Sequence, residues 1–376
     1  MKQNWEYKKL GECGIVVTGN TPSKKDAANY SSNDFCFVKP NDIEKDGVTY
    51  INQTCEYISK KAFEKSRRLP KGAVLTTCIG IIGKVAILEV DATCNQQINA
   101  IIPNGNVDSK FLAYSILSIR NYLTQKANAP VVPIINKGDF SEILIPVPPL
   151  EEQSRIVAEL DLLTGIIDKQ NAQLKELDNL AQAIFYDMFG DPIENPKGWN
   201  LEKLNNVSTL VNGRAYKQNE LLDNGKYKVL RVGNFFTNGN YYYSDLELEK
   251  EKYCEKGDLL FAWSASFGAF IWQGEKVIYH YHIWKVLFNK KKLDIQYYRF
   301  LLNAMTNFFM KDVHGIGMVH LTKEGMEQYI LPLPPLTLQQ SFAEKIQSIE
   351  KQKETIRASI ADTQKLLDYT MDKYFG

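Results

Sequence analysis

The sequence lacks the features of a membrane protein, of an exported protein and of a strongly charged one. It contains no run of 18 or more apolar residues, which disfavours a membrane-spanning helix. Its first residues, MKQNWEYKKLGECG, lack the apolar stretch of a signal peptide. The 45 Lys and Arg nearly balance the 44 Asp and Glu, so the net charge is only +1. We therefore expect a cytosolic protein without a membrane partner, and the neutral total by itself disfavours an indiscriminate nucleic-acid coat.

Cysteine motifs are also missing. The six cysteines form no C-x-x-C pair and no Cys/His cluster with zinc spacing. We expect reduced, mostly buried thiols at positions 13, 36, 55, 78, 94 and 254.

No catalytic motif can be identified. GIIGK at 80–84 is too short for a phosphate loop and is followed by Val85 instead of Ser or Thr. The chain has no G-x-G-x-x-G, no H-E-x-x-H, no nucleophile elbow and no Asn/Asp-Pro-Pro-aromatic tetrapeptide. We found no paired-carboxylate-plus-lysine nuclease pattern either. The sequence therefore predicts a binding protein.

What the sequence does contain is an internal duplication. A length of 376 residues and 44% hydrophobic content indicate a folded protein of two or more domains. Matching segments recur in the same order along the chain at offsets of 185 to 194 residues. The pairs are Trp5-x4-Leu10 with Trp199-x4-Leu204, 17–20 with 211–214, 37–42 with 229–234, 71–87 with 256–272, 145–153 with 331–339, and 185–190 with 371–376.

Each repeat combines a globular part with a long helix. The globular parts, 1–147 and 191–333, alternate β-branched and aromatic residues between Gly and Asn turn signals. The prolines of IPVPPL and LPLPPL should be unable to continue a strand and should deliver the chain into a helix, at 148–190 and 334–376. In the first helix a heptad seam runs from Ile156 through the polar Gln170 to Met188, and a weaker one runs from Phe342 through Lys353 to Tyr374.

The fold class predicted from these features is α+β. Two mixed α/β globular units should be separated by the two long helices. Pairing of the helices could be parallel or antiparallel. Because each helix connects directly to a globular unit, we favour an antiparallel coiled coil, with one unit at each end and a pseudo-twofold axis.

The near-zero charge is unevenly distributed. Residues 1–145 carry +4, 146–190 carry −5, 191–333 carry +2 and 334–376 carry 0. An anionic partner should therefore meet the globular units. Phosphates and guanines are bound by Lys and Arg, and adenine by Asn and Gln. The candidate DNA-binding residues are Asn20, Thr21, Lys24, Lys25, Lys39, Asn41, Lys84, Asn95, Gln97, Arg214, Tyr216, Lys217, Arg231, Asn234, His280 and His282.

Two of these candidate pairs occupy matching positions in the repeats. Asn95 with Gln97 corresponds to His280 with His282, and alternation predicts that each pair lies on one face of a strand. A metal site at His280, His282, His314 and His320 is disfavoured, because the matching positions of the first repeat are not a ligand set.

The chain resembles the specificity subunits of type I restriction-modification systems. The resemblance rests on the two matched globular units, on PPLEEQ at 148–153 and PPLTLQ at 334–339, on the heptad helices, and on MFGDP…PKGW at 188–199. Leu338 departs from the usual acidic residue of that motif.

This resemblance implies a function and a set of partners. Each globular unit would be a target recognition domain that reads one half of a bipartite, asymmetric site on double-stranded DNA. The helices would set the spacer between the halves. The chain would be non-catalytic and without a cofactor of its own. Two methyltransferase subunits would bring S-adenosylmethionine and flip an adenine of each half-site. Restriction subunits would bring ATP and Mg.

Two alternatives are open at this point. One is the recognition subunit of a type IIB restriction enzyme, which has a similar architecture but one fused partner chain. The other is a coiled-coil adaptor whose duplicated heads bind protein or glycan. The mild positive charge of both globular parts favours DNA.

Overall fold

The computed structural model describes residues 5–127, 132–237, 239–264, 266–311 and 321–376. The chain divides into two compact units. Unit 1 comprises residues 1–171 and 357–376, and unit 2 comprises residues 172–356. Each unit therefore contains one globular part and a portion of each long helix.

The described part of unit 1 holds ten strands in three sheets. The order is β2-β9-β6-β7-β4 in the largest sheet, β5-β3-β8 in the second, and β1-β10 in a two-stranded ribbon. The strands are β1 (Glu6–Lys9), β2 (Gly14–Thr18), β3 (Phe35–Val38), β4 (Val48–Ile51), β5 (Tyr57–Ile58), β6 (Val74–Thr77), β7 (Val85–Leu88), β8 (Ala92–Cys94), β9 (Ile98–Pro103) and β10 (Leu144–Val147). The helices that follow or interrupt them are α1 (Leu10–Cys13), α2 (Lys60–Lys65), α3 (Ser109–Ser118), α4 (Arg120–Lys126), α5 (Lys137–Ser141) and α6 (Leu150–Phe189).

Unit 2 repeats the central strand pairings of unit 1, but its two larger sheets have four strands each. Its described strands form the sheets β12-β19-β16-β17 and β14-β13-β18-β15 and the ribbon β11-β20. They are β11 (Asn200–Lys203), β12 (Ser208–Asn212), β13 (Tyr227–Leu230), β14 (Tyr242–Ser244), β15 (Tyr253–Cys254), β16 (Leu259–Ser264), β17 (Ser266–Ile271), β18 (Val277–Tyr279), β19 (Ile283–Phe288) and β20 (Ile330–Leu333). Its helices are α7 (Leu204–Val207), α8 (Val232–Phe236), α9 (Ile295–Ala304), α10 (Thr306–Lys311), α11 (Lys323–Met326) and α12 (Leu336–Phe375).

The predicted α+β duplication is confirmed at the level of strand register. In unit 1, β3 and β8 run parallel with Val38 opposite Cys94, and in unit 2, β13 and β18 run parallel with Leu230 opposite Tyr279. The antiparallel pairs β2·β9 and β12·β19 match in the same way. The different offsets along the sequence therefore reflect loop lengths around one conserved set of strands.

The two long helices are confirmed, and each contains 40 residues. Every position of both predicted seams is buried or half-buried. In unit 1, Tyr374 donates to Glu159 at 2.6 Å and Gln170 donates to Ser359 at 2.7 Å, so the two helix portions run antiparallel.

The helix portions of unit 2 also run antiparallel. The ammonium of Lys353 contacts Asp178 at 2.6 Å, and the rings of Phe185 and Phe342 lie 5.8 Å apart. Lys353 is only 6% exposed, and its ion pair compensates for placing a charge in the apolar seam.

The expectation that the prolines end the strands was wrong. Pro146 lies within β10 opposite Tyr7, and Pro332 lies within β20 opposite Leu201. Each belongs to a two-stranded ribbon, where a residue without an N–H donor can face the unpaired side. The helices then begin at Leu150 and Leu336.

A buried glutamine fixes the start of each long helix. The side-chain carbonyl of Gln153 accepts from the Asp108 backbone N–H at 2.8 Å, and its amide donates to the carbonyls of Asn106 and Pro148. Gln339 makes the matching three bonds to Asp294, Lys292 and Pro334. Both glutamines are 0% exposed, so the last residue of each PPLxxQ segment connects the helix start to the globular core.

The cysteines follow the expectation for mostly buried thiols. Five are buried, and Cys55 is the exposed one. In the part of the chain that the structure describes, no helix is both long enough and apolar enough to cross a membrane.

Candidate nucleic-acid interface

Three polar segments that are distant in sequence converge in unit 1. They are 19–25 after β2, 39–42 after β3 and 95–97 after β8, and we call them the first polar edge. Asn20 donates its backbone N–H to the Cys94 carbonyl at 2.9 Å, and Asn95 donates to Val38 at 3.0 Å. These bonds hold the segments against the ends of the parallel strands β3 and β8.

The matching segments of unit 2 converge through the same bonds. They are 213–219, 231–234 and 280–282, and we call them the second polar edge. Arg214 donates its backbone N–H to the Tyr279 carbonyl at 3.0 Å, and His280 donates to Leu230 at 2.9 Å. The two edges are thus equivalent in backbone and different in side chains.

A glycine permits the close approach in each edge. A Cβ atom on Gly19 would lie 2.2 Å from the Asn95 carbonyl oxygen, and one on Gly213 would lie 2.4 Å from that of His280. Such distances are far below van der Waals contact, so a side chain at either position would displace the turn that follows β8 or β18. This explains why the duplicated sequences keep glycine there.

The first polar edge presents amides and lysines. Thr21 donates to the side chain of Gln96 at 2.6 Å, and the Asn20 side chain accepts from the Arg67 backbone N–H at 2.9 Å. Lys24 and Lys25 are exposed. Lys39 forms an ion pair with Glu56, which lowers the pKa of the Glu56 carboxyl.

The second polar edge presents a fixed cation and aromatic rings. Arg214 binds Glu220 through two hydrogen bonds, of 2.9 and 2.8 Å, and its guanidinium lies 5.3 Å from the centre of the Tyr216 ring. These bonds lower the pKa of the Glu220 carboxyl to about 2. Lys217 is exposed next to them.

Arg231 is a further exposed cation of the second polar edge. Its guanidinium lies 4.9 Å above the Tyr242 ring and has no carboxylate partner among the described residues. It lines a groove of about 900 Å³ together with Lys228, Asn234 and Tyr241. A cation and aromatic faces in one open groove suit phosphates and stacked bases.

The strand predicted at Asn95–Gln97 and at His280–His282 was wrong. Both segments are tight turns between strands: Ile98 donates its N–H to the Asn95 carbonyl, and Ile283 donates to that of His280. Asn95 is nearly buried, and its side chain bonds to both the backbone and the side chain of Gln97. The predicted correspondence between 95–97 and 280–282 is correct, because the two turns follow the equivalent strands β8 and β18.

Burial keeps His280 neutral. Desolvation, followed by the neighbouring His282 and Arg231, lowers the pKa of the His280 imidazole to about 4. The ring lies 4.8 Å from that of His282 and 6.4 Å from that of Tyr216.

Lys84 differs from the other candidates in its surroundings. Its side chain is nearly buried in unit 1, and its ammonium donates to the carbonyls of Pro40 at 2.8 Å and Ile43 at 2.6 Å. These bonds tie the segment after β3 to the central sheet, so we do not include Lys84 in the exposed surface.

The polar cluster after β3 is shaped by Asp42, which is not among the candidate residues. The Asp42 side chain accepts from the Lys39 backbone N–H at 2.7 Å, and Asn234 accepts from that of Arg231 at 2.8 Å. Asp42 is therefore the counterpart of Asn234, while Asn41 is exposed beside it. The repeat alignment of 37–42 with 229–234 already pairs Asp42 with Asn234.

Several residues of the polar edges were not predicted from the sequence. They are Arg67, whose guanidinium donates to the Thr18 carbonyl at 2.7 Å, Gln96, Glu56 and Tyr242. The sequence could have indicated Gln96, because it lies between the candidates Asn95 and Gln97. It could not have indicated Arg67, because Arg67 reaches the edge from a different part of unit 1.

The described residues include no group of three His, Cys, Asp or Glu side chains that could hold a metal ion. His314 and His320 lie outside the described residues.

A family model described as the type I restriction modification DNA specificity domain matches this chain twice, over residues 2–179 and 196–362. The chain belongs to this family. The double match follows the internal duplication and supports neither a type IIB recognition subunit nor a coiled-coil adaptor.

Curated relatives are specificity subunits from the same class of system. The chain is 29% identical over 250 residues to the type I restriction enzyme MjaIX specificity subunit of Methanocaldococcus jannaschii, covering 61% of this chain and 58% of that one. It is 25% identical over 300 residues to the MjaVIII specificity subunit of the same organism, covering 72% and 68%. The matched region thus spans little more than half of the first relative.

Two solved structures share the fold. A chain from a type I R-M system, in a study of its complex assembly and conformational transition, has a TM-score of 0.59 at 18% identity, with 100% of this chain and 98% of that chain covered. The type I restriction-modification S subunit from M. genitalium has a TM-score of 0.52 at 12% identity, with 99% and 96% covered.

Proposed function

We propose that this chain is the DNA-recognition subunit of a type I restriction-modification complex, and that each polar edge reads one half of a bipartite site on double-stranded DNA. The observation that carries the proposal is the equivalent convergence of three polar segments in both units. Equivalent backbones give the edges a common way to approach a duplex, whereas different side chains let each select a different sequence.

The side chains of the two edges suit different contacts. In the first, Asn20, Thr21 and the exposed Lys24 and Lys25 combine amide and hydroxyl groups with two cations. In the second, Arg231 and Lys217 supply charge, and Tyr216 and His280 supply neutral rings. We expect the lysines to contact phosphates and the amides, Arg231 and His280 to contact base edges.

Catalysis belongs to the partners in this proposal. Two methyltransferase subunits would supply S-adenosylmethionine, and restriction subunits would supply ATP and Mg. The long helices would fix the spacer between the two halves of the site.

The experiment compares variants confined to one edge. The chain is purified with its methyltransferase subunits, and modified adenines are mapped to define the bipartite motif. Binding of duplexes altered in one half-site is then measured over a range of salt concentrations. Arg231→Ala should relax discrimination at one half-site only, whereas Lys24→Ala with Lys25→Ala, which removes phosphate contacts, should weaken the binding of all these duplexes by a similar factor. Removing a phosphate contact should also reduce the salt slope by about one.

Matched controls are Lys71→Ala in unit 1 and Lys290→Ala in unit 2, which remove exposed lysines outside the polar edges. They should leave affinity within about twofold. An equal loss of discrimination at both half-sites from Arg231→Ala, or affinity that is insensitive to salt, would contradict the proposal.

A further inference from the structure

A short connecting segment of unit 1 carries an excess of positive charge. It comprises residues 59–68, which lead from β5 through α2 towards β6, and we call it the basic segment. It contains five cations and one carboxylate, that of Glu64, so its net charge is +4. The cations are Lys60, Lys61, Lys65, Arg67 and Arg68, and all five are exposed. Among the described residues only Lys61 of this set forms a salt bridge, at 3.1 Å from Asp26. An anionic partner would therefore relieve the repulsion between these like charges.

Hydrogen bonds at both ends hold the basic segment beside the first polar edge. At its start, the hydroxyl of Ser59 donates to the Ala28 carbonyl at 2.7 Å. Near its end, Arg67 donates its backbone N–H to the side chain of Asn20 at 2.9 Å. The guanidinium of Arg67 also donates to the Thr18 carbonyl at 2.7 Å. The basic segment thus lies next to the exposed lysines of that edge.

Strand pairing identifies residues 245–253 as the corresponding segment of unit 2. The two segments start after equivalent strands, because β5 pairs with β3 and β14 pairs with β13, both antiparallel. They end before the same antiparallel contact, in which Leu69 pairs with Ala92 and Cys254 pairs with Val277. The charges of the two segments can therefore be compared directly.

The segment of unit 2 has the opposite charge. It holds two lysines and four carboxylates, so its net charge is −2. The carboxylates are those of Asp245, Glu247, Glu249 and Glu251, and all four are exposed. One cation keeps its place, because Lys252 donates to the Asn212 carbonyl at 2.9 Å as Arg67 does to that of Thr18. Both units therefore keep the cation that holds the end of the strand before the polar edge, and the charge around it differs.

We propose that the basic segment binds phosphates of the duplex beside the half-site that the first polar edge reads, whatever the base sequence is there. Lys60, Lys65 and Arg68 make these contacts, and Arg67 is a positioning residue that holds the segment against the edge. Phosphate contacts add affinity without sequence information.

This inference rests on the proposed function and adds a difference between the two units. The exposed carboxylates of 245–253 repel phosphates, so unit 2 makes no equivalent contact through that segment. Unit 1 therefore supplies sequence-independent affinity that the corresponding segment of unit 2 does not.

The test uses the full chain with its methyltransferase subunits and two duplexes. One duplex contains the bipartite motif found by mapping modified adenines, and in the other both half-sites are scrambled. The Kd for each is measured between about 0.05 and 0.3 M salt. The triple variant combines Lys60→Gln, Lys65→Gln and Arg68→Gln. The control combines Lys71→Gln, Lys250→Gln and Lys256→Gln, which removes the same charge from exposed positions outside the basic segment.

The triple variant should bind both duplexes at least about tenfold more weakly at about 0.15 M salt. Its salt slope should fall by about two to three, because each lost phosphate contact removes about 0.9 from the slope. The methylated motif should stay the same. The control should bind both duplexes within about twofold of wild type.

An unchanged salt slope in the triple variant, while wild type binds the motif with a steep slope, would overturn this inference and leave the proposed function intact. An equal loss in the control would also overturn it, because net charge would then explain the effect. A changed motif would show that the segment reads bases, against the proposal. Wild-type binding that is insensitive to salt would overturn both this inference and the proposed function.

Circular dichroism checks that the variants fold. The three single variants, each expected to lower the salt slope by about one, provide the same test if the triple variant does not fold.

Discussion

Burial sets the charge of His280, which lies at the centre of the second polar edge. Its pKa of about 4 leaves the imidazole neutral at physiological pH. A neutral ring donates one hydrogen bond and accepts another, which suits a base edge better than a phosphate.

We expect the NMR titration of His280 to have its midpoint near pH 4, compared with about 6.5 for an exposed histidine. The unfolded chain takes up this proton at higher pH than the folded chain, so stability should fall as the pH is lowered from about 6.5 towards 4. His280→Gln assigns the signal. Arg231→Gln should raise the midpoint, because Arg231 disfavours the charged ring. A wild-type midpoint near 6.5 would contradict the described burial.

At this scale the sequence could predict which residue types gather at the polar edges but not how each is used. Lys84 and Lys24 were both selected because lysine can bind phosphate, yet Lys84 is buried and its ammonium donates to two carbonyls. Asn41 was selected for its amide, although the bond that shapes the cluster is made by Asp42. Such differences depend on contacts between distant segments, which composition does not encode.

At the scale of elements, Gln153 and Gln339 connect three chain segments each. Each side chain binds the backbone of the residue that caps a globular helix and the backbone of the residue two positions before that cap. Each also binds the carbonyl of a proline just before its own long helix. Because both side chains are fully buried, loss of the amide would leave a backbone N–H and two carbonyls without partners.

Gln153→Leu and Gln339→Leu should each lower the free energy of unfolding of the unit concerned by about 2–4 kcal/mol, since several buried polar groups lose their partners. Urea unfolding followed by circular dichroism measures the change. Gln352→Leu, at an exposed position of α12, serves as the control and should change it by less than about 0.5 kcal/mol. A loss no greater than that of the control would show that the buried amides are dispensable.

Long helices with a repeated heptad pattern could be predicted from the sequence, whereas short strands and turns could not. The heptad seams predicted the two long helices α6 and α12, because many positions contribute to one pattern. The turns at 95–97 and 280–282 resembled strands because three residues cannot distinguish alternation from a turn. Pro146 and Pro332 seemed to exclude strands, although the edge of a ribbon accepts them.

At the scale of the whole molecule, the duplication separates what is shared from what differs. Strand registers, the glycines at 19 and 213 and the buried glutamines are shared by the two units. The side chains of the polar edges differ. This pattern fits one framework that serves two recognition tasks.

Deleting two heptads at matching levels of α6 and α12 should shorten the spacer of the recognised site by up to about six base pairs, from a rise of about 1.5 Å per residue. Both half-site sequences should stay the same. Mapping of modified adenines reports both properties. A changed half-site with an unchanged spacer would contradict the assignment of spacing to the helices.

The exposure of Cys55 gives the chain a chemical reporter. The Cys55 backbone N–H donates to Asp42 at 2.9 Å, and the thiol lies beside the first polar edge, while the other five sulfur atoms are buried. Its hydrogen bond to Asp42 raises the pKa of the thiol, so alkylation should be slow at neutral pH and faster in alkaline buffer. A single maleimide dye could thus mark unit 1 of the folded protein without any mutation, close to where we expect the duplex to lie.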